Sequence, residues 1–548
     1  MKAHCRLSGV DFEVTPREVE MRRSFGFETL PDLVPFLRIR HLGAFWPHWA
    51  LHKRKCDKTG RDVVSVFRPD CSYPVWHKDE WYKSALPPSA KIDFEQTFFA
   101  QAETLFKQCP IQHHVGSNNE NCEYTEDAWS CKNCYLIHSA FESEDTRYSL
   151  KSYWGINSMY LVASYRCERC IDCTNCHGCF ECVQCLNVKN SRHMSFSFDC
   201  SGCHDCLFCY NLRNKSYCIG NQQYSQSEFE KQKKQFEYAT RDGFMRCSEF
   251  LRKILLEKAF FRAQYFEKTE NVHGNYLDEA KNVENTYFMS RVEDLSNCMR
   301  GTMAKTCLDC VSSYDAEKMY ACSAVQLKCY DVRFSFQLSE ARFVDYSAYS
   351  AQLEHCFGCC GLVKGKHCIL NTSYSAQEYG ILRDKIIAHM KSTGEWGQFF
   401  PGSFAPNPYN ESWSSFYFPL TQSEQQKEGY FYLSQPEKRN NSYLSIDRLP
   451  LTSQDASVLT TKETYWDDIA EKPFQLLAQD INLCRDLGVA LPHSYYMRRI
   501  QENFKWMPYD GALRTTVCAK SGIKIQTSWP SEYDGRILSE SEYIKIIA

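Results

Sequence analysis

Every cysteine from Cys122 to Cys218 falls on one three-residue phase. The set is Cys122, Cys131, Cys134, Cys167, Cys170, Cys173, Cys176, Cys179, Cys182, Cys185, Cys200, Cys203, Cys206, Cys209 and Cys218. A helix repeats near 3.6 residues and a strand at 2, so neither alone holds such a phase. Where cysteine is absent, the phase carries Ile137, Ala140, Ser143, Thr146 and Ser149, all small or apolar. A neighbouring phase is polar and turn-prone around the densest cysteines: Asp172, Asn175, Gly178, Glu181, Gln184, Asn187. One position per triplet therefore looks inward and one outward. Self-similarity at a fixed period marks stacked repeat architectures. The expected fold is mostly β with helices, built around a cysteine-rich β-solenoid with coils a multiple of three residues long. Cys182, Cys200 and Cys218 suit 18-residue coils.

The register returns from Leu277 through Val283, Met289, Cys298, Cys307, Cys310 and Cys322, then slips by one residue from Cys329. A single inserted residue explains the slip. The segment from Cys206, CLFCYNLRNKSYCIGNQQYSQSEFE, aligns without a gap with CFGCCGLVKGKHCILNTSYSAQEYG from Cys356. The body is thus two copies of one unit. Each copy ends in Ser-x-x-Glu, at Ser225/Glu228 and Ser375/Glu378. This is the capping box that satisfies orphan N–H groups at a helix start, so a helix is expected after each copy.

The chain has 548 residues and a net charge of −3, which argues against a generally basic nucleic-acid binder. Its start lacks the basic-then-apolar pattern of a signal peptide, and no apolar run reaches membrane-spanning length. A cytoplasmic setting follows as the expectation, and there disulfides rarely persist. The 31 cysteines are then thiols or metal ligands.

Three places share Cys-x-x-[Ser/Thr]-Gly: Cys5 to Gly9, Cys56 to Gly60 and Cys518 to Gly522. A zinc knuckle sets two cysteines at that spacing before the glycine, and zinc rarely takes the Ser or Thr found here. With KRKCDKTGRDVVSVF, the cysteine triplets, NKSYCIGNQQYSQSEFE, HMKSTGEWGQFFPGSFAPNPYNES, YFPLT and the tail from FQLLAQDINLCRDLGVALP to KSGIKIQTSWPSE, the chain resembles a known family. It is similar, over almost its whole length, to the uncharacterised zinc-ribbon and cysteine-repeat proteins of candidate phyla radiation bacteria. Some of these carry the label caib/baif family, borrowed from CoA-transferases that nothing in this sequence supports. The resemblance implies an N-terminal and a C-terminal zinc ribbon, but no activity. Here Ser8, Val34 and Leu37 occupy the other implied ligand positions around Cys5, and Ser521, Ser539 and Glu542 those around Cys518. Both terminal ribbons are expected to be zinc-free.

The domain reading is 1–110 as a degenerate N-terminal ribbon, 111–245 and 246–400 as two solenoid copies with capping helices, 401–475 as an aromatic-rich linker, and 476–548 as a degenerate C-terminal ribbon. No HExxH, P-loop or GxSxG motif appears, and no catalytic residue is assigned. The triplet cysteines are read as a packed ladder, with no cofactor favoured. The alternative is a zinc-binding or zinc-storing protein using Cys167, Cys170, Cys173, Cys176, Cys179, Cys182, Cys185, Cys200, Cys203, Cys206 and Cys209. His113, His114, His177, His193 and His204 are read as surface or stacking residues. The best surface candidate is RIRHLGAFWPHWALHKRK, in which Arg38, Arg40, Lys53, Arg54 and Lys55 accompany Phe45, Trp46 and Trp49. Cations meet phosphates and aromatics stack on bases, so this stretch is a candidate RNA contact. The preferred function is a non-enzymatic scaffold or interaction protein with a protein or ribonucleoprotein partner. A carbohydrate-acting β-helix enzyme stands third, by fold analogy alone.

Overall fold

The structure is a computed structural model describing residues 1–47, 50–83, 87–160, 162–165, 168–171, 174, 180–302, 308–311, 319, 321–323, 332–333, 335–433, 439–506 and 513–547. Strand exceeds helix, at 32% against 27%. The chain divides into two compact units, each assembled from distant segments. One contains residues 1–115, 264–433 and 509–514, and the other 116–263, 434–508 and 515–548. The second repeat copy thus shares a unit with the N-terminal segment, and the first copy shares one with the C-terminal tail. The 401–475 stretch is divided between them.

In the unit holding the first copy, strands Glu123–Trp129, Tyr135–Phe141 and Arg147–Tyr153 pair in parallel. Their partners lie twelve residues apart, as in Thr125 with Ile137 and Ile137 with Ser149. The same interval joins Met194 to Cys206 and Cys206 to Cys218. The repeat is therefore twelve residues, not eighteen. Cys182, Cys200 and Cys218 are not successive members of one column. The column through Cys206 and Cys218 contains Met194, so cysteine spacing reported column content and not repeat length.

The bend that makes this possible recurs every third residue. From Asn118 to Tyr148 each third residue has a positive φ, between 44° and 56°. That left-handed region suits Asn, Asp and Gly, and it costs other side chains about 1 kcal/mol or more. Four bends fit within the twelve residues separating paired positions. Of the polar phase noted in the sequence, Glu181, Gln184 and Asn187 stand at this bend, while Asp172, Asn175 and Gly178 lie outside the described residues.

In the other unit the second copy keeps the twelve-residue interval from Cys310 to Cys322 and from Ser335 to Ser347. Between Cys322 and Ser335 the interval is thirteen. The extra residue therefore falls in that stretch, most of which lies outside the described residues. A shorter interval of eleven opens the copy, joining Phe266 to Leu277.

Both copies close alike. Ser216–Ile219 and Cys368–Ile369 each turn back into a short antiparallel strand, Gln222–Gln223 and Thr372–Ser373. At the turn an asparagine clasps the backbone of the preceding lap. Asn221 donates to Tyr210 O at 2.8 Å and accepts from Tyr210 N at 2.9 Å. Asn371 does the same with Cys360, at 2.9 and 3.0 Å. Capping boxes at Ser225/Glu228 and Ser375/Glu378 then start helices Gln226–Lys233 and Ala376–Ser392. The first helix stops early, with Glu237 at φ 48°, and a second helix, Arg241–Glu257, begins from the Thr240 cap.

The two clasps differ in burial, and that sets their worth. Asn371 is buried and also donates to Pro88 O at 2.7 Å, whereas the Asn221 clasp is exposed. Asn371→Ala is expected to cost about 2–4 kcal/mol and Asn221→Ala about 1 kcal/mol, by unsatisfied-group energetics. Denaturant unfolding of both variants measures this, and equal losses would contradict the role assigned to burial.

Candidate functional site

The inward thiols and hydroxyls form a hydrogen-bonded lining. Cys134 Sγ donates to Lys132 O at 3.2 Å, Cys206 Sγ to His204 O at 3.3 Å and Ser197 Oγ to Ser195 O at 2.9 Å. The partner is the carbonyl two residues back, and several of these groups also reach the carbonyl nine residues ahead, as Cys134 Sγ does to Ser143 O at 3.4 Å. The same atoms accept from the lap ahead. Ser191 Oγ takes the N–H of Cys203 at 3.1 Å, Ser347 Oγ that of Cys359 at 2.9 Å and Cys122 Sγ that of Cys134 at 3.4 Å.

The strand ladder explains the need. Lys132 N donates to Ser143 O at 2.9 Å and Asn133 N to Glu120 O at 3.0 Å, leaving the N–H of the inward Cys134 for a side chain. Ser201, Gly202 and Cys203 repeat the arrangement. Cys, Ser and Thr share a column because each both donates and accepts there.

Cys170, Cys182, Cys185, Cys200, Cys203, Cys206, Cys209 and Cys218 are buried in one cluster with Val188 and Met194. Burial and the Cys203 thiol push Cys200 well up, while its bond to Cys200 draws Cys203 down to about 6. Among the described residues, no three Cys, His, Asp or Glu side chains are grouped to hold a metal ion. Cys167, Cys173, Cys176 and Cys179 lie outside the described residues, as does His177.

The three Cys-x-x-[Ser/Thr]-Gly loops share one geometry. Cys5 N bonds Val10 O, Cys56 N bonds Arg61 O and Cys518 N bonds Ile523 O, at 2.9, 2.8 and 2.8 Å. The loop glycines Gly9, Gly60 and Gly522 take φ of 69–70°, where a side chain is strained. Val34 and Leu37 pack against Cys5 with Leu33. Ser539 N donates to Cys518 Sγ at 3.3 Å, while Glu542 pairs with Lys545 at 2.6 Å. Burial raises the Cys518 thiol, but hydrogen bonds from Ser521 and Ser539 outweigh it and bring it to about 6.

The basic and aromatic stretch does not form one outward face. Arg38 is buried on helix Pro35–Gly43, 2.6 Å from Glu18 and 3.2 Å from Asp309. Arg40 grips Glu428 with both carboxylate oxygens at 2.5 Å. Arg54 is buried, bonded to Arg68 O at 2.5 Å and Asp57 at 2.7 Å. Trp46 is buried against Trp413. Lys53 and Lys55 are exposed, Lys55 beside Asp62 at 2.8 Å, and Trp49 lies outside the described residues. Arg38 and Arg40 were drawn inward by carboxylates far away in sequence, Asp309 and Glu428, which spacing alone cannot reveal.

Beside Arg38 lies a cavity of about 50 Å³, lined by Arg6, Arg22, Asp32, Arg38, His41 and Asp309 among others. Sequence reasoning missed Glu18, Arg22 and Asp309, because Asp309 reaches this place from the second repeat copy. Glu18 Oε2 also accepts from Asn297 at 2.7 Å. Burial raises the Glu18 carboxyl, but Arg38 and Arg22 more than reverse that and leave it lowered. Burial pushes the Asp309 carboxyl up to about 6 against the pull of Arg38. His41 is held down to about 4 by burial, its ring nitrogens against Tyr430 Oη and Phe400 O. Elsewhere in this unit His77 stacks on His113 with centroids 4.6 Å apart, and His114 Nδ1 meets His113 Nε2 at 2.6 Å. In the unit of the first copy, His193 and His204 both face Asp205, at 3.1 and 2.9 Å.

Compared with family models, curated proteins and solved structures, the chain matches none.

Two outcomes follow from this chemistry. Cys206→Ser keeps a donor to His204 O, so it is expected to be milder than Cys206→Ala by about 1 kcal/mol in denaturant unfolding. The opposite order would count against the hydrogen-bonded lining. Burial lowers His113 to about 2 and His114 to about 4, so both are neutral in the folded chain near neutrality. The unfolded chain binds protons first, so this contribution is full above about 6.5 and drains as pH falls toward 4. Urea unfolding at pH 7.5 and pH 5 should show the loss, and His114→Gln should reduce it.

Proposed function

We propose that the chain is a non-enzymatic interaction protein whose two copies are β-solenoids with twelve-residue coils and four short sides per coil. One observation carries this reading. Among the described residues the repeat thiols face inward and are bonded to the backbone of their own and neighbouring laps, so the outward columns are the surfaces left for work. On this reading the cysteines are structural thiols, in keeping with a reducing, cytoplasmic setting. The resemblance to zinc-ribbon and cysteine-repeat proteins fits the same picture, with the terminal knuckles kept as folds and their ligands replaced.

A protein partner is the better match for these surfaces. Of the five cations proposed to meet RNA, Arg38, Arg40 and Arg54 serve internal ion pairs and hydrogen bonds. Lys53 and Lys55 face outward and are too few for a salt-dependent nucleic-acid footprint.

Elemental analysis of the full-length protein, purified without chelator, tests the structural-thiol reading. Metal well below one ion per chain is expected, together with unchanged unfolding in the presence of a strong chelator. Stoichiometric zinc lost together with a repeat copy's folding would favour the metal-binding alternative. RNA retention abolished by Lys53→Glu with Lys55→Glu would restore RNA as partner.

A further inference from the structure

Each repeat copy is closed at its C-terminal end by a returning strand, an asparagine clasp and a helix. The first copy opens differently. Within the stack, amides at the bends bond back to the preceding lap, as Asn133 N does to Glu120 O at 3.0 Å and Glu142 N to Trp129 O at 2.9 Å. Carbonyls of inward residues accept from that same preceding lap, as Cys134 O does from Glu123 N at 3.0 Å. On the first lap, strand Glu123–Trp129 has Gly116–Ser117 beside it on that side, and only at Ala128 and Trp129 among the described residues. The Asn121 N–H, the Cys122 C=O and the Tyr124 N–H therefore face no preceding lap among the described residues. The inward side chains agree. Cys122 and Thr125 stay partly exposed, whereas Cys134 and Ile137, their counterparts one lap on, are 2% and 0% exposed.

We propose that this opening edge takes an extended, basic segment of a partner protein as an added β-strand. Unpaired N–H and C=O groups along a strand edge are a template for another chain, and main-chain bonds supply the affinity of such an addition. The side chains on the edge select the occupant. Glu120 and Glu123 are exposed there, and neither is in an ion pair among the described residues. Lys132, one lap on, lies 3.8 Å from Glu144 of the lap beyond it. Asn121 Nδ2 donates to Asn133 Oδ1 at 2.8 Å, leaving the Asn121 side-chain carbonyl as an acceptor for the next rung. Lysine or arginine on the added strand supplies both that donor and the charge opposite the two glutamates. A second copy of this chain, meeting the edge with its own, would set Glu120 and Glu123 against themselves, and like charges across a pair disfavour that.

The proposal rests on the structural-thiol, protein-binding reading given above. Metal content tests that reading separately, so a peptide that fails to bind metal-free protein removes the edge and not the reading.

Titration of the full-length protein with the synthetic peptide acetyl-Thr-Lys-Val-Lys-Thr-Lys-Val-amide tests the edge. Saturable binding is expected, with amide hydrogen exchange slowed at Asn121 and Tyr124 and unchanged in the closing strand Gln222–Gln223. Glu120→Lys combined with Glu123→Lys should weaken binding about tenfold, and both side chains are exposed, so the fold is kept. The same peptide N-methylated at alternate residues keeps its charge but loses half its donors, and it should also bind about tenfold more weakly. Equal binding by the methylated peptide, or by the double variant, would mean general attraction between charges and overturn the proposal. Unslowed exchange at Asn121 and Tyr124 in the unaltered protein at millimolar peptide would overturn it without recourse to any variant. A concentration-dependent dimer that shields the same amides would make a second copy the occupant and overturn it equally.

Discussion

At Lys132–Cys134 and again at Ser201–Cys203, one backbone N–H in three bonds a side chain where its two neighbours bond paired backbone, and much of the character of that interior follows from it. At Lys132, Asn133 and Cys134 the first two amides bond to neighbouring backbone, and the third reaches Cys122 Sγ. A buried amide left alone costs about 1–3 kcal/mol, so an acceptor side chain is favoured at such positions, although Leu277, Ala280, Val283 and Val292 line the core of the second copy. Cysteine, serine and threonine answer it with an acceptor for the amide and a donor for the carbonyl two residues back. Cysteine adds the burial preference of a small hydrophobe. Frequent cysteine is thus compatible with the free thiols found among the described residues.

The bends supply the second element of the design. Asp199 and Asp309 both stand at left-handed bends, at φ 51° and 55°, and both are buried. In its own unit each receives cations or hydroxyls from elsewhere in the chain. Asp199 bonds Arg213 and Tyr543, and Asp309 pairs with Arg38. A residue type chosen for backbone reasons thus also carries a carboxylate to which distant segments can be tied. Arg147 and Tyr148 holding Asp480 at 2.9 Å give the stack of the first copy a further such tie.

Much of the local architecture was legible in the residues. The inward phase, the polar bend and both capping boxes are local features, set by a few neighbouring side chains. The lap length was not legible, because Met194 and Ser197 stand where a reader of cysteines expects cysteine. Nor was the grouping of segments into units, since nothing near Arg38 announces that its partner is Asp309. The basic stretch misled for the same reason. A cation in sequence has no visible counter-ion until the fold brings one to it.

The thirteen-residue interval between Cys322 and Ser335 shows how much irregularity the pairing tolerates. Pairing resumes at twelve residues immediately afterwards, so one extra residue is absorbed within a single lap and leaves the columns on either side aligned. The closing hairpin, clasp and helix sit at one end of each copy and make no demand on how many laps precede them. The closing parts of a copy are thereby insulated from a local irregularity in the pairing that precedes them.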